Sequence, residues 1–135
     1  MKKTIFTVLS VSAAAMLLCS CVTRVLVDSD IPEQQVAVYD DLTHDFKGNV
    51  KAPLADVYKA ANIALEQEGY FRCGQIPKDN AWILYARAKK DVRVVISLTQ
   101  LKKLVEIDIS YGEDNLVACQ RIYKAILKNL GTYNR

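Results

Sequence analysis

Two cysteines stand two positions apart at the end of an apolar run, Cys19 and Cys21 in "AAAMLLCSCVTRV". A redox pair, a metal site, a membrane anchor and a processing signal each use thiols differently, so the role of these two decides where the chain works. Ahead of them Lys2 and Lys3 make a short cationic start, and Ile5 to Leu18 carries no charge. That is the charged region and apolar core of an export signal. A membrane-spanning helix is one rival, but it needs about 20 apolar residues, and Arg24 closes this run sooner. Cleavage after Ala15 is another, since Ala13 and Ala15 have the small-residue spacing. That cut would fall inside the apolar run instead of at its end.

Leu18-Cys19-Ser20-Cys21 resembles the lipobox of bacterial lipoproteins: an aliphatic residue, a tolerant position, a small residue, then the cysteine that is modified. A thiolate is a strong nucleophile, so a cysteine delivered to the bilayer surface can take a diacylglyceryl group on sulfur. Small Ser20 leaves room for the protease that cuts before it. Cys19 fits less well, because bulky Leu18 would then fill the small-residue position. The expectation is that residues 1–20 are removed, Cys19 with them, and that Cys21 is acylated. Each buried methylene contributes about 0.8 kcal/mol, so one chain holds weakly and two or three hold almost permanently. The mature chain is then held to a membrane through acyl chains on Cys21 without spanning it, since no later stretch is long and apolar enough. Val22 follows the cysteine where an Asp would retain the protein under the enteric sorting scheme this resembles, which implies an outer-membrane anchor facing the periplasm.

Other chemistry finds little support. The chain has 18 Lys and Arg against 15 Asp and Glu, and without Lys2 and Lys3 the balance is nearly even. Such a domain offers no field for nucleic acid. Cys73 and Cys119 remain in a compartment that permits disulfides, so they are either bonded or two inert core thiols. A zinc site needs about four ligands, and His44 is the one histidine, so no metal and no cofactor is expected. His44 also lacks an acid on its own strand face to orient it as a base, because Asp45 points the other way. Glu106 and Asp108 share a face but on an open sheet instead of in a cleft. No catalytic set emerges, and a non-enzymatic module is expected.

Residues 21–41 read as lipidated cysteine and tether, although "QQVAVY" could form a short strand. Such a tether would reach roughly 70 Å extended and average roughly 25 Å as a coil. Residues 42–135 are enough for one small domain. Leu42 to Val50 alternates as a strand; Pro53 opens a helix bearing Leu54, Val57, Tyr58, Ala61, Ala64 and Leu65 on one face, which Gly69 ends. A short strand from Tyr70 to Gln75 follows. "AWILYAR" pairs through an "AKKD" turn with Val92, Val94, Ile96 and Leu98, setting Ile83 beside Ile96 and Tyr85 beside Val94 inside, and Leu84 beside Val95 outside. Val105, Ile107 and Ile109 make the next strand. The closing helix has Asp114 as N-cap, Leu116, Cys119, Ile122, Tyr123, Ile126, Leu127 and Leu130 as its stripe, and Gly131 as its stop. The expected fold is α+β, an antiparallel sheet of four to five strands with two helices packed on one face.

"APLADVYKAANIALEQEGY", "ARAKKDVRVVISL" and "VEIDISYGEDNLVACQRIYKAI" resemble an uncharacterised family of short bacterial lipoproteins, a domain of unknown function. The shared motifs are helix entries and turns, so the resemblance implies an envelope lipoprotein and supplies no reaction. On the register above, Trp82, Leu84 and Val95 stand on the open face, where a one-sided sheet should be polar. They are candidates for contact with an envelope protein or a second copy, or for cover by "QQVAVY". Lys89, Lys90 and Arg93 at one hairpin end could touch phosphates of a lipid or small ligand, or keep that end soluble.

Overall fold

A period of two in the apolar residues builds one sheet, and a period near 3.6 builds the two helices that cover it. The computed structural model describes residues 22–27, 36–113 and 115–133. Along them run β1 (Val22–Leu26), β2 (Val36–Asp40), β3 (Asp45–Val50), α1 (Leu54–Gln67), β4 (Phe71–Lys78), β5 (Ala81–Arg87), β6 (Arg93–Leu101), β7 (Leu104–Tyr111) and α2 (Leu116–Tyr133). The strands form a seven-stranded sheet in the order β1-β2-β3-β7-β6-β5-β4, antiparallel at every pair. The fold is α+β as expected, with more strands than the four to five anticipated. The two extra strands lie in the segment read as tether. β1 and β2 each bury only one or two side chains, Val25 in the first and Ala37 and Tyr39 in the second, so their alternation is too short to stand out.

Phe46, Val50, Leu84, Val94, Ile96, Leu98, Val105, Ile107 and Ile109 point to the helix side and are buried there. α1 meets them with Val57, Ala60, Ala61, Ala64 and Leu65, and α2 with Cys119, Ile122, Tyr123 and Ile126. The helices also hold each other: Asn129 Nδ2 donates to Gln67 Oε1 at 3.0 Å, and Arg121 Nε lies 3.8 Å from Glu68 Oε2. Pro53 is the N-cap of α1, and the helix ends in a Schellman turn. There Gly69 (φ +75°) donates to Glu66 O and Tyr70 N–H to Leu65 O.

Three expectations are corrected. First, β5 is turned over: Leu84 pairs with Ile96, Tyr85 with Val95 and Ile83 with Ser97. The loop is Ala88–Val92, closed by Ala88 N–H to Val92 O at 2.9 Å, one residue longer than "AKKD". A one-residue change in loop length moves every side chain of the strand to the other face. Second, His44 lies in the turn between β2 and β3 at φ +60°, not in a strand. Third, Asn115 caps α2, its Oδ1 accepting the Ala118 N–H at 2.9 Å, and the helix runs past Gly131. Asp114 lies outside the described residues.

Gly48 faces α2, and a Cβ built there would stand 2.4 Å from the Tyr123 ring. That ring packs on Phe46 at 5.2 Å between centroids, and the Tyr123 hydroxyl donates to Asn49 O at 3.4 Å. Gly48→Ala should therefore destabilise the domain by about 1–3 kcal/mol through overpacking. Gly74→Ala, which meets nothing within 4 Å, should stay within about 0.5 kcal/mol. Urea unfolding of the two variants checks the contrast.

Candidate functional site

Tyr58, Asn62 and Glu66 are spaced by four along α1, so they form one polar column beside the edge strand β4. β4 answers with Arg72 and Gln75, three residues apart, which a regular strand would point to opposite faces. A β-bulge between Arg72 and Gly74 takes up Cys73 as the extra residue. Arg72 thus pairs with Ala86 and Gln75 with Leu84, both on the helix side. Arg72 Nη1 donates to Asn62 Oδ1 at 3.1 Å, and its Nη2 lies 2.8 Å from Glu66 Oε1. Tyr58 donates its hydroxyl to Gln75 Oε1 at 2.5 Å, and Asn62 Nδ2 donates to Tyr58 O at 3.0 Å.

Between these groups opens a cleft of about 430 Å³, lined by Tyr58, Asn62, Arg72, Cys73, Gly74, Gln75 and Tyr85. Its size lies within the range of small-ligand sites. The Tyr58 hydroxyl, Asn62, Arg72 and Gln75 Oε1 are already paired, which suits hydrogen bonding of a polar ligand by exchange. The Cys73 thiol is exposed and its nearest polar neighbour is Phe71 O, at 3.6 Å. Asn62, Arg72 and Gln75 were not singled out from the sequence. The four-residue spacing on α1 was the available signal, but the bulge that completes the cleft has no sequence mark beyond Gly74.

The sequence-derived candidates fall apart in space. Leu84 is buried at 2% exposure on the helix side, and Trp82 stacks on Tyr58 of α1 with ring centroids 4.4 Å apart. Of the three proposed contact residues only Val95 is on the open face, with Ile83 and Tyr85 beside it in place of Trp82 and Leu84. The Arg93 guanidinium lies 5.9 Å from the Tyr85 ring centroid on that face. Cys73 and Cys119 are both free. Cys119 packs against Ile109 O of β7 at 3.7 Å, while β4 lies three strand spacings from β7, about 14 Å. That exceeds the Cα separation of about 4.4–6.8 Å a disulfide tolerates. Cys21 lies outside the described residues, as do residues 1–20. Among the described residues no group of His, Cys, Asp and Glu is placed to hold a metal ion, and no helix is long and apolar enough to cross a membrane.

On the open face, Asp108 of β7 stands opposite Lys47 of β3, Oδ2 to Nζ 3.9 Å. Burial raises its carboxyl from the usual 3.8 to about 6, with Asp45 and Glu106 adding to the rise and Lys47 opposing it. Burial likewise lifts the Cys119 thiol to about 11, which keeps it protonated and inert.

No family model matches the chain, and no curated protein matches it. Among solved structures, cyanobacterial PsbP (CyanoP) from Synechocystis sp. PCC 6803, a solution structure, is similar at a TM-score of 0.45 with 12% identity, over 82% of this chain and 81% of that chain. A likeness that loose is one of outline.

Two measurements follow from the site. Because the folded value of Asp108 is raised, its ionised form opposes folding: the penalty is absent below about 3.8 and complete above about 6. Asp108→Asn should raise the thermal midpoint at about pH 8 and leave it nearly unchanged at about pH 3.5, as followed by circular dichroism. In the folded protein iodoacetamide should modify Cys73 and spare Cys119, with both modified after unfolding, as mapped by peptide mass spectrometry.

Proposed function

We propose that the chain is a bacterial envelope lipoprotein, held to a membrane by acyl groups on Cys21 and working by contact instead of reaction. The observation that carries the reading is Leu18-Cys19-Ser20-Cys21 at the end of an uncharged apolar run, with an ordered strand beginning at the very next residue, Val22. The resemblance to an uncharacterised lipoprotein family agrees with it. Val22 after the anchor favours the outer membrane, facing the periplasm. Contact is the better reading of the rest because the groups that could do chemistry are dispersed. His44 sits in a turn, Asp108 and Glu106 on the open face, Cys119 in the core and Cys73 on an edge strand. An envelope protein or a second copy is the partner this reading expects.

The cleft between α1 and β4 supports a second reading, a binding domain for a small polar ligand, by virtue of its volume and its hydrogen-bonding walls. Either reading keeps the anchor. Cys21→Ser should lose incorporation of labelled palmitate and leave the membrane fraction, whereas Cys19→Ser should keep both. Palmitate retained by Cys21→Ser, or a mature N-terminus elsewhere, would refute the anchor.

A further inference from the structure

The tether expected after Cys21 is absent at its first step, because Val22 is already the first residue of β1. Successive Cα atoms lie about 3.8 Å apart, so an acylated Cys21 brings one particular end of the sheet to the lipid. The register identifies what is there. Val22 pairs with Asp40, and Asp40 leads into the turn that carries Leu42. Thr23 Oγ1 donates to Asp41 Oδ2 at 3.2 Å and ties that turn to β1. Asp45, after the turn, pairs with Ser110 near the end of β7, beyond which Asn115 opens α2 with Val117 in its first turn.

At this end Val22, Leu42 and Val117 are exposed at 58%, 73% and 67%. The Leu42 turn is held in shape: Asp40 Oδ1 accepts the N–H groups of Leu42 and Thr43 at 2.9 and 3.3 Å, and Asp40 O accepts that of His44 at 2.8 Å. These three N–H groups are thus satisfied within the turn. Beside β1 this end carries the acidic Asp40, Asp41, Asp45 and Glu113, and its basic Arg87, Lys89, Lys90 and Arg93 lie at the β5–β6 hairpin four to five strands away. Attraction to anionic lipid is therefore not what the end offers. Apolar side chains are also exposed at the far end, Leu26 and Leu101 among them. The covalent place of Cys21 decides between the two ends.

We propose that the domain stands on the lipid surface by this end, with Leu42 and Val117 in the interface beside the acyl anchor. The proposal rests on the reading of Cys21 as acylated. The full-length protein, purified from membranes and reconstituted in phosphatidylcholine vesicles, tests it with three tryptophan variants: Leu42→Trp, Val117→Trp and, at the far end, Leu101→Trp. Trp82, held against Tyr58, gives all three the same background. Lipid brominated high on its acyl chains should quench most of the added emission of Leu42→Trp and Val117→Trp and little of that of Leu101→Trp. Equal quenching of all three, or none, in protein shown to be acylated by intact mass and to float with the vesicles, would overturn the proposal alone. Protein that carries no acyl mass would overturn both this proposal and the anchor.

Discussion

The Tyr123 ring set close against Gly48 is the contact on which the rest of the packing depends. Glycine weakens a strand and is tolerated where another group must approach closely. Here the approaching group is one of the largest fully buried side chains in the domain. With no side chain at Gly48, α2 settles low over β3 and β7, and Cys119, Ile122 and Ile126 are buried in one core with Ile107 and Ile109. α1 then takes its place from α2 through Asn129, Gln67, Arg121 and Glu68 and covers β6 and β5. Burial lifts the Tyr123 hydroxyl to about 12, so this contact keeps one protonation state throughout the physiological range.

How far the fold could be read from sequence depended on how strictly each segment kept its period. Val94, Ile96 and Leu98, and Val105, Ile107 and Ile109, alternate against neighbours that are polar apart from Val95 and Leu104, and both strands face as expected. The stripes of both helices were equally plain. "AWILYAR" is apolar on both faces, so its period says nothing about which side is inner, and the answer lay in one residue of loop length at Val92. β1 was missed and β2 was foreseen only as the short strand "QQVAVY" could form, because a short strand near the rim of a sheet buries too few side chains to show alternation. Asn115, not Asp114, caps α2: two capping residues in succession leave the choice to backbone geometry.

The candidate site was less legible than the fold, for a physical reason. The cleft joins a polar column on α1 to an edge strand whose facing is changed by the bulge at Cys73. Neither half looks unusual alone, since Tyr58, Asn62 and Glu66 read as an ordinary helix flank and Arg72 and Gln75 as opposite sides of a strand. The two cysteines illustrate the converse. An even count in an oxidising compartment suggested a bond, but Cys119 serves as a small apolar filler under α2 and Cys73 as the odd residue of the bulge. β1 and the cleft lie at opposite edges of the sheet, six strand spacings or about 28 Å apart.

The irregularity of β4 has a consequence for how copies of the chain meet. An unpaired strand edge is an invitation to polymerise. β4 is such an edge, eight residues long and carrying exposed Phe71 and Ile76. The kink at Cys73 breaks its straight run, and Pro77 withholds an N–H group from any would-be neighbour. A strand shaped in this way resists edge-to-edge pairing with a neighbouring copy.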